Sequence, residues 1–432
     1  MKFVSTNGKA PAVDLQTALL SGLAPDGGLF VPEQIERRSL ADFDGAMSLP
    51  AVAAIFLRPF FEGDPLLPEL GSICGESLDI ETPLLEIAPD TFILELFHGP
   101  TAAFKDYGAR FLSNTLGRMR AKAGVTAPLT ILVATSGDTG SAVAAAFHRT
   151  PGFRVVILYP DGRVSKRQAH QLGCFGDNIL ALRVPASFDQ CQAMAKEAFG
   201  DTALRERVLL SSANSISLGR LLPQATYYAF ASLQHFSTTG RPLSFIVPTG
   251  NLGNSVAALI ARTAGLPIGR VLFATNRNHT IPDFIASGEY RARPSVRTLA
   301  NAMDVGDPSN VARLRFLMAK DATLSAALGA FSVDDATIEA RIKDGERAYG
   351  KVFCPHTACA IEMLEHERRL GAIDDFCVVA TAHPAKFDDV VEPLVAHPVE
   401  PPEALKVMLA RKATSEVMEP DYQKLKDRLL RL

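Results

Sequence analysis

From residue 91 onward, short runs of apolar and β-branched residues alternate with segments of helical period, and no feature of the chain limits its fold more than this alternation. Strands are predicted at 91–97, 129–135, 153–159, 178–184, 244–248, 271–275 and 376–381, and helices at 141–148, 188–199, 218–236, 255–264 and 360–370. A helix between two strands returns the chain to start the next strand in the same direction. The expected product is therefore an α/β fold of mostly parallel sheets covered by helices. The first 81 residues lack the alternation. There a turn-rich Ala24-Pro25-Asp26-Gly27-Gly28 precedes Leu29-Phe30-Val31-Pro32 and several short helical stretches, which predicts a separate, small, mainly helical domain at 1–81. The segment 237–242 is the expected passage between two α/β lobes. No repeat or low-complexity tract points to a solenoid or a linker-rich scaffold.

Charge and cysteine usage narrow the partner. With 44 basic against 47 acidic residues the formal charge is -3, and no basic cluster alternates with aromatics, so neither nucleic acid nor an anionic membrane is implied. The N-terminus turns polar before a signal-peptide core could form, and no later apolar run is long enough to span a bilayer. The expectation is a soluble, cytoplasmic protein with a small-molecule ligand, either a monomer or a homodimer. The six cysteines are scattered without paired spacing, so reduced thiols are expected. Cys354, His356 and Cys359 resemble part of a zinc set, but no fourth ligand stands at a suitable spacing; the reading is that no metal is held.

Four loops carry candidate chemistry. In Phe97-His98-Gly99-Pro100-Thr101-Ala102-Ala103-Phe104-Lys105-Asp106, a strand gives way through a Gly-Pro turn to an amphipathic helix, placing the Lys105 amine at the mouth of a sheet. Partial desolvation beside a helix N-terminus lowers a lysine's affinity for its proton, and a neutral amine attacks aldehydes. Pro248-Thr249-Gly250-Asn251-Leu252-Gly253-Asn254 follows a strand and opens a helix, so its N–H groups can converge on a phosphate, with the glycines expected to allow close approach and positive φ. It has neither a P-loop lysine nor dinucleotide spacing. Ala134-Thr135-Ser136-Gly137-Asp138-Thr139-Gly140 crowds donors into one turn that suits a carboxylate, although Asp138 or Thr139 could equally cap the following helix. Thr381-Ala382-His383-Pro384-Ala385-Lys386-Phe387 puts a hydroxyl, an imidazole and an amine at the end of the last strand; read alone, His383 and Lys386 are equally surface charges.

Together these are the parts needed to hold pyridoxal phosphate with an amino-acid substrate. The segments 97–106, 134–140, Ser212-Ala213-Asn214-Ser215, 248–254, Asn301-Ala302-Met303-Asp304-Val305 and 381–387 resemble the threonine synthase family over nearly the whole chain, and the N-terminal 24–32 segment resembles the extra domain of its longer form. The resemblance implies a fold-type-II pyridoxal-phosphate enzyme, tryptophan synthase β-like. Its cofactor core would occupy 82–390 with a smaller lobe at roughly 107–235, and a helical extension 391–432. It implies conversion of O-phospho-L-homoserine and water to L-threonine and phosphate, the last step of threonine biosynthesis.

Residue by residue, the resemblance makes Lys105 the lysine that holds the cofactor and moves protons at Cα and Cβ. Gly250, Asn251, Leu252, Gly253 and Asn254 would hold the cofactor phosphate, Thr381 the pyridine nitrogen, and Ser136, Asp138 and Thr139 would stand beside the substrate carboxylate and the cofactor ring. The substrate brings a second phosphate, for which Lys386, Asn214, Ser215 and Arg220 are the candidates. Leu252 and Asn254 stand where relatives often carry phenylalanine and aspartate. Asp138 stands where shorter relatives use asparagine, and an ionised carboxylate there would repel an anionic cofactor oxygen. Two alternatives stay open: another fold-type-II lyase, such as a serine or threonine dehydratase or a cysteine synthase, and a catalytically silent homologue that binds the cofactor or a metabolite.

Overall fold

The computed structural model describes all of residues 1–432. Strands β1 (Phe3–Ser5) and β2 (Phe30–Pro32) form an antiparallel pair in the N-terminal part. Asp26 holds the intervening turn, its carboxylate accepting from Lys9, Ala10 and Gly28 N–H and from the Ser5 hydroxyl. Helices Leu15–Ser21, Leu49–Leu57 and Leu70–Leu78 complete this part. Their buried residues, among them Leu19, Phe56 and Ile73, join one continuous core with Phe111 and Phe245 of the rest of the chain.

The remaining strands are β3 (Leu84–Ala88), β4 (Thr91–Glu95), β5 (Leu129–Ala134), β6 (Phe153–Pro160), β7 (Ile179–Val184), β8 (Leu209–Ser212), β9 (Leu243–Pro248), β10 (Ile268–Thr275), β11 (Leu328–Ser332), β12 (Asp375–Ala380) and β13 (Glu416–Val417). They make two sheets. The larger has the order β11-β10-β9-β12-β4-β3, parallel except for the β3–β4 pair, and the smaller has the all-parallel order β13-β7-β6-β5-β8. Every residue of β5, β9 and β12 is buried, which is why these strands read as unbroken apolar runs: helices cover both faces of each sheet. The 391–432 region is not purely helical, because β13 pairs in parallel with β7 and extends the smaller sheet.

Two long helices connect the sheets. Lys105–Lys122 leads from β4 to β5, and Leu218–Thr239 leads from β8 to β9, ending at Gly240 in the left-handed conformation. They pack closely where Gly108 meets Arg220; a Cβ at Gly108 would stand 2.7 Å from the Arg220 carbonyl oxygen, so glycine is required there. The loops after β4, β5, β8, β9 and β12 all leave the carboxyl ends of parallel strands, the side on which open α/β sheets bind ligands. All six cysteines are free and buried, and no helix is long and apolar enough to cross a membrane.

Candidate active site

The loops after β4, β5, β8, β9 and β12 line one cleft, with Lys105, Ser136, Asp138, Thr139, Asn214, Ser215, Arg220, residues 250–254 and Thr381 on its walls. Of the residues the sequence offers as candidates in these loops, Lys386 and His383 do not line it. The turn that delivers Lys105 is fixed by its neighbour: Asp106 accepts from Thr101 N–H at 2.8 Å and from the Thr101 hydroxyl at 2.7 Å, while Ala102 takes a φ of 55°. Phe104 N–H donates to the Thr381 carbonyl (2.9 Å) and His383 N–H to the Ala102 carbonyl (3.0 Å). The first turn of the lysine's helix is thereby tied to the segment that carries Thr381.

Lys105 keeps 16% of its side-chain exposure and faces the cleft, whereas Lys386 keeps none. Burial lowers the pKa of Lys105 to about 8; Asp138, 3.9 Å away, opposes the shift, and Arg220 and Lys386 add to it. At pH 7 such an amine has roughly 300 times the neutral fraction of an ordinary lysine. Lys386 donates to Asp138 Oδ1 at 3.0 Å and to the Thr101 carbonyl at 2.6 Å, so its ammonium is occupied behind the cleft. Burial would raise the pKa of Asp138, but Lys386, Lys105 and the Gln168 amide (2.9 Å) outweigh it and hold the carboxyl below its usual range. Asp138 is therefore an ionised counter-charge to two lysines.

Neither Asp138 nor Thr139 caps the following helix. Gly137 occupies the N-cap with a φ of 133°, and Thr135 Oγ1 accepts from Gly137 N–H (3.0 Å) and Gly140 N–H (2.9 Å). The hydroxyl that satisfies this turn lies at the end of the strand run, where the sequence offered no reason to choose it over its neighbours.

In the loop after β9, Gly250 serves close approach: a Cβ there would lie 2.8 Å from Met303 Cα. The positive φ belongs to Leu252, at 63°, and to neither glycine, a strain of about 1 kcal/mol or more that clusters at binding turns. Asn254 Oδ1 accepts from both Tyr227 (2.5 Å) and Tyr228 (2.9 Å) hydroxyls, which turns Nδ2 away from them and leaves it buried without a partner. Asn214 Oδ1, Arg220 Nε and Gln224 Oε1 are also buried and unpartnered on the cleft wall. Buried polar groups are normally satisfied, so such a concentration marks places for ligand atoms. Arg220, with its pKa lowered to about 10 by burial, stays charged at neutrality and uses Nη1 on the Ala213 carbonyl (2.7 Å). The site is net cationic and fits anionic ligands. An amine whose pKa is lowered to about 8, a helix-opening nest with an orphaned amide N–H and, apart from it, a guanidinium with a free Nε fit the aldehyde and phosphate ester of pyridoxal phosphate together with a further anion.

Two residues here were legible only in part. Gln168 completes a capping box with Ser165, Ser165 Oγ accepting from Gln168 N–H and Gln168 Oε1 from Ser165 N–H, and its amide nitrogen reaches on to Asp138. The Ser-x-x-Gln spacing predicts the cap; the reach does not follow from it. His356 lines the cleft and accepts from Ala302 N–H through Nε2 at 3.1 Å; burial lowers its pKa to about 4, so it is neutral. Cys354 Sγ accepts from Thr357 N–H as a helix cap and Cys359 Sγ faces the Pro355 carbonyl, and no three His, Cys, Asp or Glu side chains converge as metal ligands.

Comparison with known proteins agrees with this geometry. A family model for pyridoxal-phosphate dependent enzymes matches residues 78–382, one for the threonine synthase N terminus matches 2–78 and one for the threonine synthase C-terminal region matches 357–428. Threonine synthase of Haemophilus influenzae is 37% identical over 421 residues, 97% of each chain. The crystal structure of Escherichia coli threonine synthase superposes with a TM-score of 0.91 at 34% identity over 100% of both chains. A pyridoxal-phosphate-bound threonine synthase structure from Brucella melitensis gives 0.90 at 32% identity, over 100% of this chain and 99% of that one.

Proposed function

The chain belongs to the threonine synthase family of pyridoxal-phosphate-dependent enzymes, and on that footing we propose that it converts O-phospho-L-homoserine and water into L-threonine and phosphate in the cytoplasm. The observation that carries the reading is the pairing, in one cleft, of a Lys105 amine whose pKa is lowered to about 8 with two separate unsatisfied donors suited to anions, Asn254 Nδ2 and Arg220 Nε. A dehydratase or cysteine synthase needs only one phosphate site. Family models that meet at residue 78 support a division into 1–81, 82–390 and 391–432, although the C-terminal model begins already at 357.

Lys105 would hold the cofactor aldehyde, the 250–254 turn its phosphate and Thr381 its ring nitrogen. When bound, pyridoxal phosphate supplies the electron sink that makes substrate protons next to the amine, and then at Cβ, acidic. Lys105 is the base placed to carry protons at both carbons, and its lowered pKa lets it accept and return them near neutrality. Ser136 and Thr139, on the turn opening the helix after β5, orient the substrate carboxylate with N–H groups of that turn. Arg220, Asn214 and Ser215 take the substrate phosphate, where the guanidinium stabilises the charge that grows as phosphate leaves Cγ.

Lys386 acts through Asp138 in this scheme. A Lys386→Met variant removes a cation that depresses the Lys105 pKa, so the pH midpoint for cofactor capture by the apoprotein should move up. Breaking the buried pair should also destabilise the fold by about 3 kcal/mol. Stopped-flow capture across pH 6.5–9.5 reads the first effect and thermal melting the second; an unmoved midpoint would remove Lys386 from the electrostatics of the site.

The reaction itself is tested by incubating purified holoenzyme with phosphohomoserine and, separately, with L-threonine and L-serine. Equimolar phosphate and threonine from the first supports the reading. Ammonia from the second pair with no phosphate from the first would overturn it in favour of a dehydratase.

A further inference from the structure

Arg313, near the start of the helix Val311–Lys320, is fully buried and has no carboxylate partner. All five of its N–H donors are used. Nε and Nη2 donate to the Phe30 carbonyl at 3.0 and 2.8 Å, Nη2 to the Ile216 carbonyl at 2.7 Å, and Nη1 to the Ser215 carbonyl at 3.3 Å and to Asn310 Oδ1 at 2.7 Å. Because the arginine occupies Oδ1, the Asn310 amide presents Nδ2 to the carbonyls of Asn251 (2.9 Å) and Ser215 (3.3 Å). One guanidinium and one amide thus reach β2 of the N-terminal part, the 250–254 turn and the loop of Asn214 and Ser215. The two anion loops also abut directly, with Ser215 Cβ 3.5 Å from the position a Cβ on Gly253 would take.

We propose that Arg313 is a positioning residue that, with Asn310, locks the turn for the cofactor phosphate and the loop for the substrate phosphate into one spacing and fastens both to the N-terminal part through the Phe30 carbonyl. The planar fork is what makes this possible. Five donors in fixed directions hold two backbone segments at once and orient the Asn310 amide onto a third, which the three donors of a lysine ammonium on a flexible stem do not. A buried cation held only by carbonyls is a poor stability device compared with an apolar side chain of similar volume. Its presence is explained by geometry it imposes and by the two anions that bind nearby and share its field. The N-terminal part accordingly contributes to the site without lining it, because it supplies the acceptor that orients the guanidinium.

The substrate arm of this inference rests on the function proposed above, and the cofactor arm does not. The test uses full-length Arg313→Met and Asn310→Ala variants beside the parent, with thermal melting, pyridoxal phosphate affinity of the apoprotein, and steady-state kinetics with phosphohomoserine. Misplacing the loops relative to each other should raise KM by roughly tenfold to 100-fold in both variants, with a smaller change in kcat, and should weaken cofactor affinity severalfold. A purely structural role would lower the melting temperature while leaving KM and affinity of the folded protein within twofold of the parent, and that result would overturn the proposal. Asn310 makes no capping bond to its helix, so Asn310→Ala removes the loop contacts and one acceptor of Arg313 while leaving the three carbonyls that hold the guanidinium, and it decides the matter alone if Arg313→Met does not fold. Should the parent itself not turn over phosphohomoserine, the function fails, and the affinity measurements still decide the role of Arg313.

Discussion

A Lys105→Ala variant should fold normally, bind pyridoxal phosphate only without a covalent link, lack the visible band of the lysine-bound cofactor, and lose turnover by at least about 10⁴-fold, since nucleophile and proton carrier go together. Folding should be spared because the turn does not depend on the ammonium: Asp106, Thr101 and the Phe104 and His383 backbone bonds fix it. Lys386 should not substitute, because its ammonium is engaged by Asp138 and the Thr101 carbonyl behind the cleft wall. The pH dependence of the parent gives the complementary result. With a Lys105 pKa of about 8, the rate of cofactor capture by the apoprotein should rise with pH and level off above it, as the neutral amine becomes the majority form. A rate still climbing steeply at pH 10 would mean an ordinary solvated lysine.

The second large effect is expected at Arg220. Its Nε has no partner, its Nη1 is anchored on Ala213, and it stands on the cleft wall with Asn214 and Ser215. Arg220→Met removes the fixed cation offered to the substrate phosphate, and charge-assisted bonds to a dianion are among the stronger ones available. KM for phosphohomoserine should rise by about 100-fold, corresponding to about 3 kcal/mol, and kcat should fall as well because the same group stabilises the departing phosphate. Cofactor affinity should stay within about twofold, since the 250–254 turn is untouched. This contrasts with Arg313→Met, where both constants should move. If KM proved unchanged, the substrate phosphate would have to be held elsewhere in the cleft.

The parallel core was legible because its strands are buried on both faces and read as apolar runs; β5, β6 and β12 lie within a residue or so of their predicted limits. The strands that escaped notice lack that signature. β3 is half exposed, β8 is four residues with two serines, and β11 contains Gly329 in a run of intermediate burial. The helix after β5 starts at Asp138, three residues before its predicted start, since Asp-Thr-Gly reads as a turn until Thr135 is seen to cap it. At the site, the convergence of Lys105, the 250–254 turn and Thr381 on one cleft was legible from their positions after strands. Arg313 was not, because all its acceptors but Asn310 Oδ1 are main-chain carbonyls, one of them 283 residues away, and no side-chain pattern encodes them. The partial role of Lys386 has the same origin: a sequence places an amine at the end of a strand without showing that a buried carboxylate has already claimed it.

The central claim is that Lys105 forms the covalent bond to the cofactor, and reduction of the purified holoenzyme with borohydride, followed by proteolysis and mass spectrometry, tests it most directly. The account predicts a single pyridoxyl-modified peptide with the modification on Lys105. Modification of Lys386, or no modified peptide from protein saturated with pyridoxal phosphate, would contradict it.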